Sequence, residues 1–241
     1  PERPSREIRG TVIVHSGTHK TGSTAIQEFL AENEDQLKSD GIFYCSVANA
    51  WGPNSHLLPV SLVDQEQHLL GFPELDEERI WDSILKEYQE SGCEHLLLSS
   101  EFFSPEFLKD ELPNLAKLKR LLGNNRVRFV FYVRAQDSRI ESGYAQLIHS
   151  GVRAVSDTFT EFVDKTLSAH DYGWLLGEYE QHFGKEAITV NRYHLEDFPQ
   201  GNICRDFLKV LELDDSEYFF SSSSKNETWS DDVIDFLRQA N

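Results

Sequence analysis

The chain has 241 residues, 39% of them hydrophobic and 27% charged, and carries a formal net charge of −18. That is the composition of a globular chain able to bury a sizeable core, and so acidic a balance disfavours nucleic acid or any other polyanion as a bulk partner. No apolar run reaches the length of a bilayer span and no signal-peptide pattern opens the sequence. The three cysteines, Cys45, Cys93 and Cys204, are scattered and form no CxxC pair. That argues against a disulfide framework and a zinc site, and predicts a reducing, cytoplasmic compartment.

In chain order, residues 11–15 (TVIVH) are a β-branched apolar run and predict a buried strand. A glycine-containing turn follows, then a helix from about Thr24 to Ser39, stopped by Gly41. Residues 42–45 predict a second strand. Residues 46–73 fit no regular pattern beyond a helix near His56 to Leu70. Asp76 to Gln89 predicts a helix, with Ile80, Ile84, Leu85 and Tyr88 at helical spacing. Residues 95–99 (HLLLS) are a third strand. Ser104-Pro105 suits the start of a helix running to about Leu122. Residues 127–133 (VRFVFYV) are a fourth strand, with a helix from about Ser138. Helices near 158–168 and 172–183 precede a fifth strand at 187–193. Helices near 201–212 and 231–240 end the chain, separated by serines 221–224. Strands alternating with helices, without repeats or a linker, predict one α/β domain over residues 1–241. Its mostly parallel sheet of about five strands lies between two layers of helices, with ligands beyond the strands' carboxyl ends.

Two motifs fall at such ends. After the first strand comes Gly17-Thr18-His19-Lys20-Thr21-Gly22-Ser23-Thr24. Glycines five apart let the backbone wrap an anion, and the following helix offers amides and the positive end of its dipole. A nucleotide P-loop has lysine directly after its second glycine, whereas here Ser23 stands there and Lys20 comes earlier. No aspartate ends the third or fourth strand to help hold Mg²⁺, though Glu101 is a conceivable partner. A metal-free anion site with a lysine on the transferring group fits better. The second motif is Val133-Arg134-Ala135-Gln136-Asp137-Ser138-Arg139-Ile140-Glu141-Ser142-Gly143-Tyr144. Arg134 leaves the fourth strand and Ser142 follows in the next helix, a fork and a hydroxyl suited to a second phosphate. The structural alternative pairs Arg134 with Asp137 and makes Ser142 a packing residue.

HKTGST after the first strand resembles the 5′-phosphosulfate loop of sulfotransferases that use 3′-phosphoadenosine-5′-phosphosulfate (PAPS). VRAQDSRIESGY resembles their 3′-phosphate motif, with arginine and serine eight residues apart. The match is confined to about 11–30 and 126–148. The resemblance, closest to bacterial-type members, implies a three-layer P-loop fold and metal-free transfer of the sulfuryl group from PAPS to an acceptor hydroxyl or amine, leaving PAP. It implies that Thr18, His19, Thr21, Gly22, Ser23 and Thr24 form the loop around the 5′-phosphosulfate and that Lys20 is the catalytic lysine. Arg134 and Ser142 would take the 3′-phosphate and Tyr193 would lie near the adenine. Tyr193 is followed by His194 where the family has an acidic residue, and Lys225-Asn226 lacks the glycine of the family's lid. Arg139 matches an arginine of many relatives or is a solvated helix charge. The family's general base stands just past the third strand, where Glu101 sits; His56 is its rival. The acceptor is expected to be a small molecule or carbohydrate met by residues 46–73 and 150–175. A P-loop nucleotide kinase or hydrolase is the alternative enzyme, and a catalytically silent relative that binds PAPS or PAP the alternative without turnover.

Overall fold

The computed structural model describes residues 6–17, 21–49, 52–63, 75–104, 112–150, 157–167 and 171–221. Five strands form a parallel sheet: β1 (Thr11–Gly17), β2 (Ile42–Tyr44), β5 (His95–Ser99), β6 (Arg126–Val133) and β7 (Ile188–Arg192). Their spatial order is β2-β5-β1-β6-β7. The register sets His15 beside Ser99 and Gly17 beside Tyr132. Parallel pairing puts every carboxyl end on the same edge. The residues after Gly17, Ser99, Val133 and Arg192 therefore open toward one side, as expected for an α/β ligand site.

Alternation along the strands supplies a core on each face. Val12, Val14, Leu96, Leu98, Phe129 and Phe131 face one way. Against them pack α4 (Glu77–Ser91) through Trp81, Ile84, Leu85 and Tyr88, and α5 (Leu112–Leu122) through Leu115 and Leu118. Tyr179 of α8 (Tyr172–Phe183) joins them, edge-on to Phe129 and Phe131. Ile13, Leu97, Val130 and Tyr132 face the other way. They meet Ile26, Phe29 and Leu30 of α1 (Ser23–Glu32), Leu37 of α2 (Glu34–Ser39) and Phe207 and Leu208 of α9 (Ile203–Val210). The result is the predicted three-layer arrangement. Among the described residues no helix is long and apolar enough to cross a membrane.

Two local features depart from the pattern reading. The helix expected over 24–39 is two, broken at Asn33. The Asn33 amide donates to the carbonyls of Phe29 and Phe219 and accepts from the Phe219 N–H at 2.7 Å, tying the break to a distant segment. The stretch expected to be irregular holds a two-stranded antiparallel hairpin, β3 (Val47–Asn49) with β4 (Gly52–Asn54), followed by the short α3 (Leu57–Ser61). Only residues up to 63 of the helix placed near 56–70 are described, and the helix expected from Ser104 is described from Leu112. Two more helices, α6 (Gln136–Ser150) and α7 (Phe159–Thr166), lie where expected; the helix near 231–240, Trp51, Lys225 and Asn226 lie outside the described residues.

Candidate functional site

β1 runs into the predicted anion loop. Of that loop Thr18, His19 and Lys20 lie outside the described residues, and Thr21 to Thr24 are described. Thr21 and Ser23 are buried and Thr24 is exposed. A Cβ on Gly17 would lie 1.9 Å from Ser23 Oγ and 3.4 Å from Thr21 Oγ1, so both hydroxyls close on a space that only glycine leaves open. Gly22 adopts φ 75°, the left-handed conformation that favours glycine, and a Cβ there would meet Ile203 at 2.9 Å and Tyr193 at 3.2 Å. Among the described residues no side chain caps α1, and no acidic residue occupies its first turn. Among the described residues the buried Ser23 hydroxyl has no hydrogen-bond partner. A buried, unspent hydroxyl beside uncapped helix amides is a place where an anion is accepted at low cost.

The second motif meets this loop through Tyr193. Its N–H donates to Val133 O at 2.7 Å, carrying the β6–β7 pairing one residue further. Its ring lies beside Gly22, where an added Cβ would meet it at 3.2 Å, and the Arg134 guanidinium stands over it, 5.9 Å from the ring centre. The Tyr172 hydroxyl donates to Arg134 O and fixes the backbone where it leaves the strand. Among the described residues no carboxylate lies within ion-pair distance of Arg134. Asp137, the partner weighed for it, instead accepts from the Ser138 N–H at 2.7 Å. Ser142 is half-buried on α6. Arg139 is not the solvated charge of one of the two readings: it is 4% exposed, with its guanidinium over the Tyr172 ring.

Next to the loop, at the end of β5, the two rival bases stand together. His56 Nε2 lies 3.6 Å from Glu101 Oε1, and Gln27 of α1 donates to Glu101 Oε2 at 3.2 Å. His56 Nδ1 is 2.7 Å from Ser100 Oγ, which also accepts from the Phe102 N–H. The Phe102 ring packs on the imidazole at 4.5 Å. His56 reaches β5 because Ser55 clamps the hairpin there: its N–H donates to Ser99 O, its hydroxyl donates to Cys45 O, and its Oγ accepts from the Ser99 N–H. Ser55, Ser100, Gln27 and Tyr172 escaped the sequence reading, since a lone polar residue in an apolar element announces no partner.

Beneath this cluster His15 is fully buried, its Nδ1 2.7 Å from Ser99 Oγ and its ring 5.0 Å from Phe207. Desolvation drives its pKa from 6.5 down to about 3, so the folded protein keeps it neutral. Below pH 6.5 the unfolded chain takes up a proton that the folded one refuses until about pH 3. Stability should therefore fall as pH drops through that window. Chemical unfolding across it should show a steeper loss for the native chain than for His15→Gln; equal slopes would contradict this.

No family model matches the chain. An uncharacterized protein of Archaeoglobus fulgidus is 30% identical over 119 residues, 49% of this chain, and the match spans 30% of that protein's length. Among solved structures the fold resembles a sulfotransferase from Alicyclobacillus acidocaldarius, with TM-score 0.52 and 14% identity over 93% of this chain and 88% of that one. A sulfotransferase domain from the curacin biosynthetic pathway aligns with TM-score 0.49 and 16% identity, over 86% of this chain and 75% of that domain. The fold is thus of the sulfotransferase type: an α/β protein with a mostly parallel five-stranded sheet flanked by helices.

Proposed function

We propose that the chain is a sulfotransferase that takes the sulfuryl group of PAPS to a hydroxyl or amine of a small molecule or carbohydrate. The observation that carries this reading is Tyr193, whose ring touches the anion loop at Gly22 and the Arg134 guanidinium, joining two motifs far apart in sequence. The donor has two anionic ends, and the residues fit both. The Ser23 hydroxyl, unpaired among the described residues, exposed Thr24 and the amides of α1 suit the 5′-phosphosulfate. Arg134, without a carboxylate partner among the described residues, and Ser142 suit the 3′-phosphate. Tyr193 offers an aromatic face beside them for the adenine.

PAPS supplies an activated sulfuryl group with a phosphate as leaving group. The chain's own work is positioning and charge. Lys20 carries the positive charge that offsets the negative charge developing on the departing oxygen, and Arg134 and Ser142 hold the nucleotide in line. A proton acceptor from the His56–Glu101 pair relieves the acceptor group of its proton. The kinase reading has less support. Glu101, the carboxylate ending β5, is engaged by Gln27 and His56 rather than turned to the Ser23 hydroxyl. Cys45 and Cys204 are buried free thiols, pushed up to about 12 by desolvation, and this suits a reducing compartment with no redox role for them.

The test is turnover in the presence of EDTA. PAP should be released from PAPS, faster with a suitable acceptor, with no requirement for magnesium. Magnesium-dependent hydrolysis of ATP with PAPS left intact would sink this reading.

A further inference from the structure

We infer that Tyr44 is a positioning residue of this site: through a buried hydrogen-bonded chain with Ser99 and His15 it ties the hairpin that presents His56 to the strand that presents the anion loop. The kinetic consequence rests on the proposed sulfotransferase reading, and the tie itself rests on geometry.

A two-stranded hairpin is marginal by itself. Here β3 and β4 have three residues each, and Gly52 and Pro53 are weak strand formers. The hairpin's place is therefore set by what fastens it. Ser55 fastens its end to Ser99 and Cys45. Tyr44, the last residue of β2, fastens its second strand: the ring lies in the core and the hydroxyl donates to Pro53 O at 2.6 Å. Asn54, Ser55 and His56 follow directly, so the carbonyl that Tyr44 holds lies close along the chain to the imidazole.

Tyr44 is tied in turn to the donor side. A carbonyl only accepts, so the Tyr44 proton is spent on Pro53, and the Tyr44 oxygen accepts from Ser99, its hydrogen-bond neighbour on β5. Ser99 Oγ, its own proton so used, accepts from His15 Nδ1 at 2.7 Å. The reverse direction would leave a buried His15 Nε2–H without an acceptor among the described residues. His15, Ser99 and Tyr44 are all buried and lie toward the carboxyl ends of the adjacent strands β1, β5 and β2. Just beyond His15 comes Gly17, over which the Ser23 hydroxyl closes. The chain of bonds thus runs from the root of the anion loop to the hairpin. Desolvation keeps the His15 ring neutral and raises the Tyr44 hydroxyl far above its usual value, so the same hydrogens are present throughout the pH range of an assay. Sulfuryl transfer needs the acceptor oxygen, the sulfur and the departing oxygen in line. The loop holds the departing side and the hairpin stands on the acceptor side, and a buried chain between them fixes their separation.

Tyr44→Phe keeps the ring and removes only the hydroxyl, and hydrogen exchange tests the tie directly. The amides of Asn54, Ser55 and His56 should exchange roughly fivefold faster in the variant, with those of β1 unchanged. PAPS hydrolysis, with water as the acceptor and PAP release as the signal, should lose about tenfold in kcat while PAP affinity stays within about twofold. Ser99→Ala cuts the chain at its centre, leaves the backbone bonds to Ser55 in place, and serves where Tyr44→Phe does not fold. It should show the same split between kcat and affinity. Because the bonds act in series, the double variant should be no slower than the slower single one. Unchanged exchange at the hairpin, a native kcat, losses that multiply in the double variant, or PAP affinity that falls with kcat would each overturn the positioning role. A native chain that neither binds PAP nor releases it from PAPS would defeat the sulfotransferase reading, and hydrogen exchange would still decide the tie.

Discussion

Replacing Lys20 by alanine is expected to lower kcat for PAPS turnover by about a hundred- to a thousandfold, the usual cost of removing one charge-stabilising donor from a transition state. The reason lies in timing. PAPS in its ground state spreads its charge over phosphate and sulfate oxygens, which the amides and hydroxyls of Thr21 to Thr24 can meet without the lysine. Negative charge concentrates on the oxygen between phosphorus and sulfur only as the bond to sulfur breaks. An interaction made with that charge raises kcat, and its loss leaves ground-state affinity largely in place. Lys20→Ala should therefore bind PAP within about tenfold of the native chain while transferring sulfate far more slowly. A variant that loses binding and turnover together would make Lys20 an anchor for the nucleotide, and one that loses neither would remove it from the chemistry.

Replacing Arg134 by alanine is expected to act the other way, on binding rather than on the bond-breaking step. A charge-assisted hydrogen bond contributes about 1.5–3 kcal/mol, which corresponds to roughly a ten- to hundredfold loss of affinity. The loss should be confined to nucleotides with a 3′-phosphate. PAP should weaken by that factor in Arg134→Ala, and ADP should hardly change, because it offers the arginine nothing at that position. Since Tyr172 fixes the Arg134 backbone through a hydrogen bond to its carbonyl, the substitution should leave the strand end in place. Ser142→Ala should show the same selectivity at smaller size, about 1 kcal/mol for one neutral hydrogen bond. A parallel loss of PAP and ADP binding would mean that Arg134 supports the site's structure instead of reading the 3′-phosphate.

How far these residues could be read from sequence depended on the range of the interactions that place them. β1, β5 and β6 are continuous apolar runs because both faces of a central parallel strand are covered, and that signal is local. The anion loop is local too: Gly17, Gly22 and the helix after them lie within one turn of chain. The break at Asn33 was not legible, because the carbonyl and amide that stabilise it belong to Phe219. The β3–β4 hairpin was missed for a related reason. Gly52 and Pro53 are poor strand residues, and the hairpin is held against β5 by Ser55 rather than by its own propensity. His56 and Glu101 looked like competing candidates in a linear reading, since nothing local reveals that the hairpin swings His56 over the end of β5. Arg139 read equally as a family arginine or a solvated helix charge, and only the packing of α8 places Tyr172 under its guanidinium. In each case a polar side chain's role was fixed by a partner far away in sequence, and residue type alone carries no address for that partner.

A site that reads a nucleotide with phosphate at both ends should show it in calorimetric titration of PAP in the presence of EDTA, with ADP as the control. PAP should bind tightly and ADP weakly, and the difference should disappear in Arg134→Ala. Equal affinity for the two nucleotides, preference for ADP, or binding of either only when magnesium is present would contradict it.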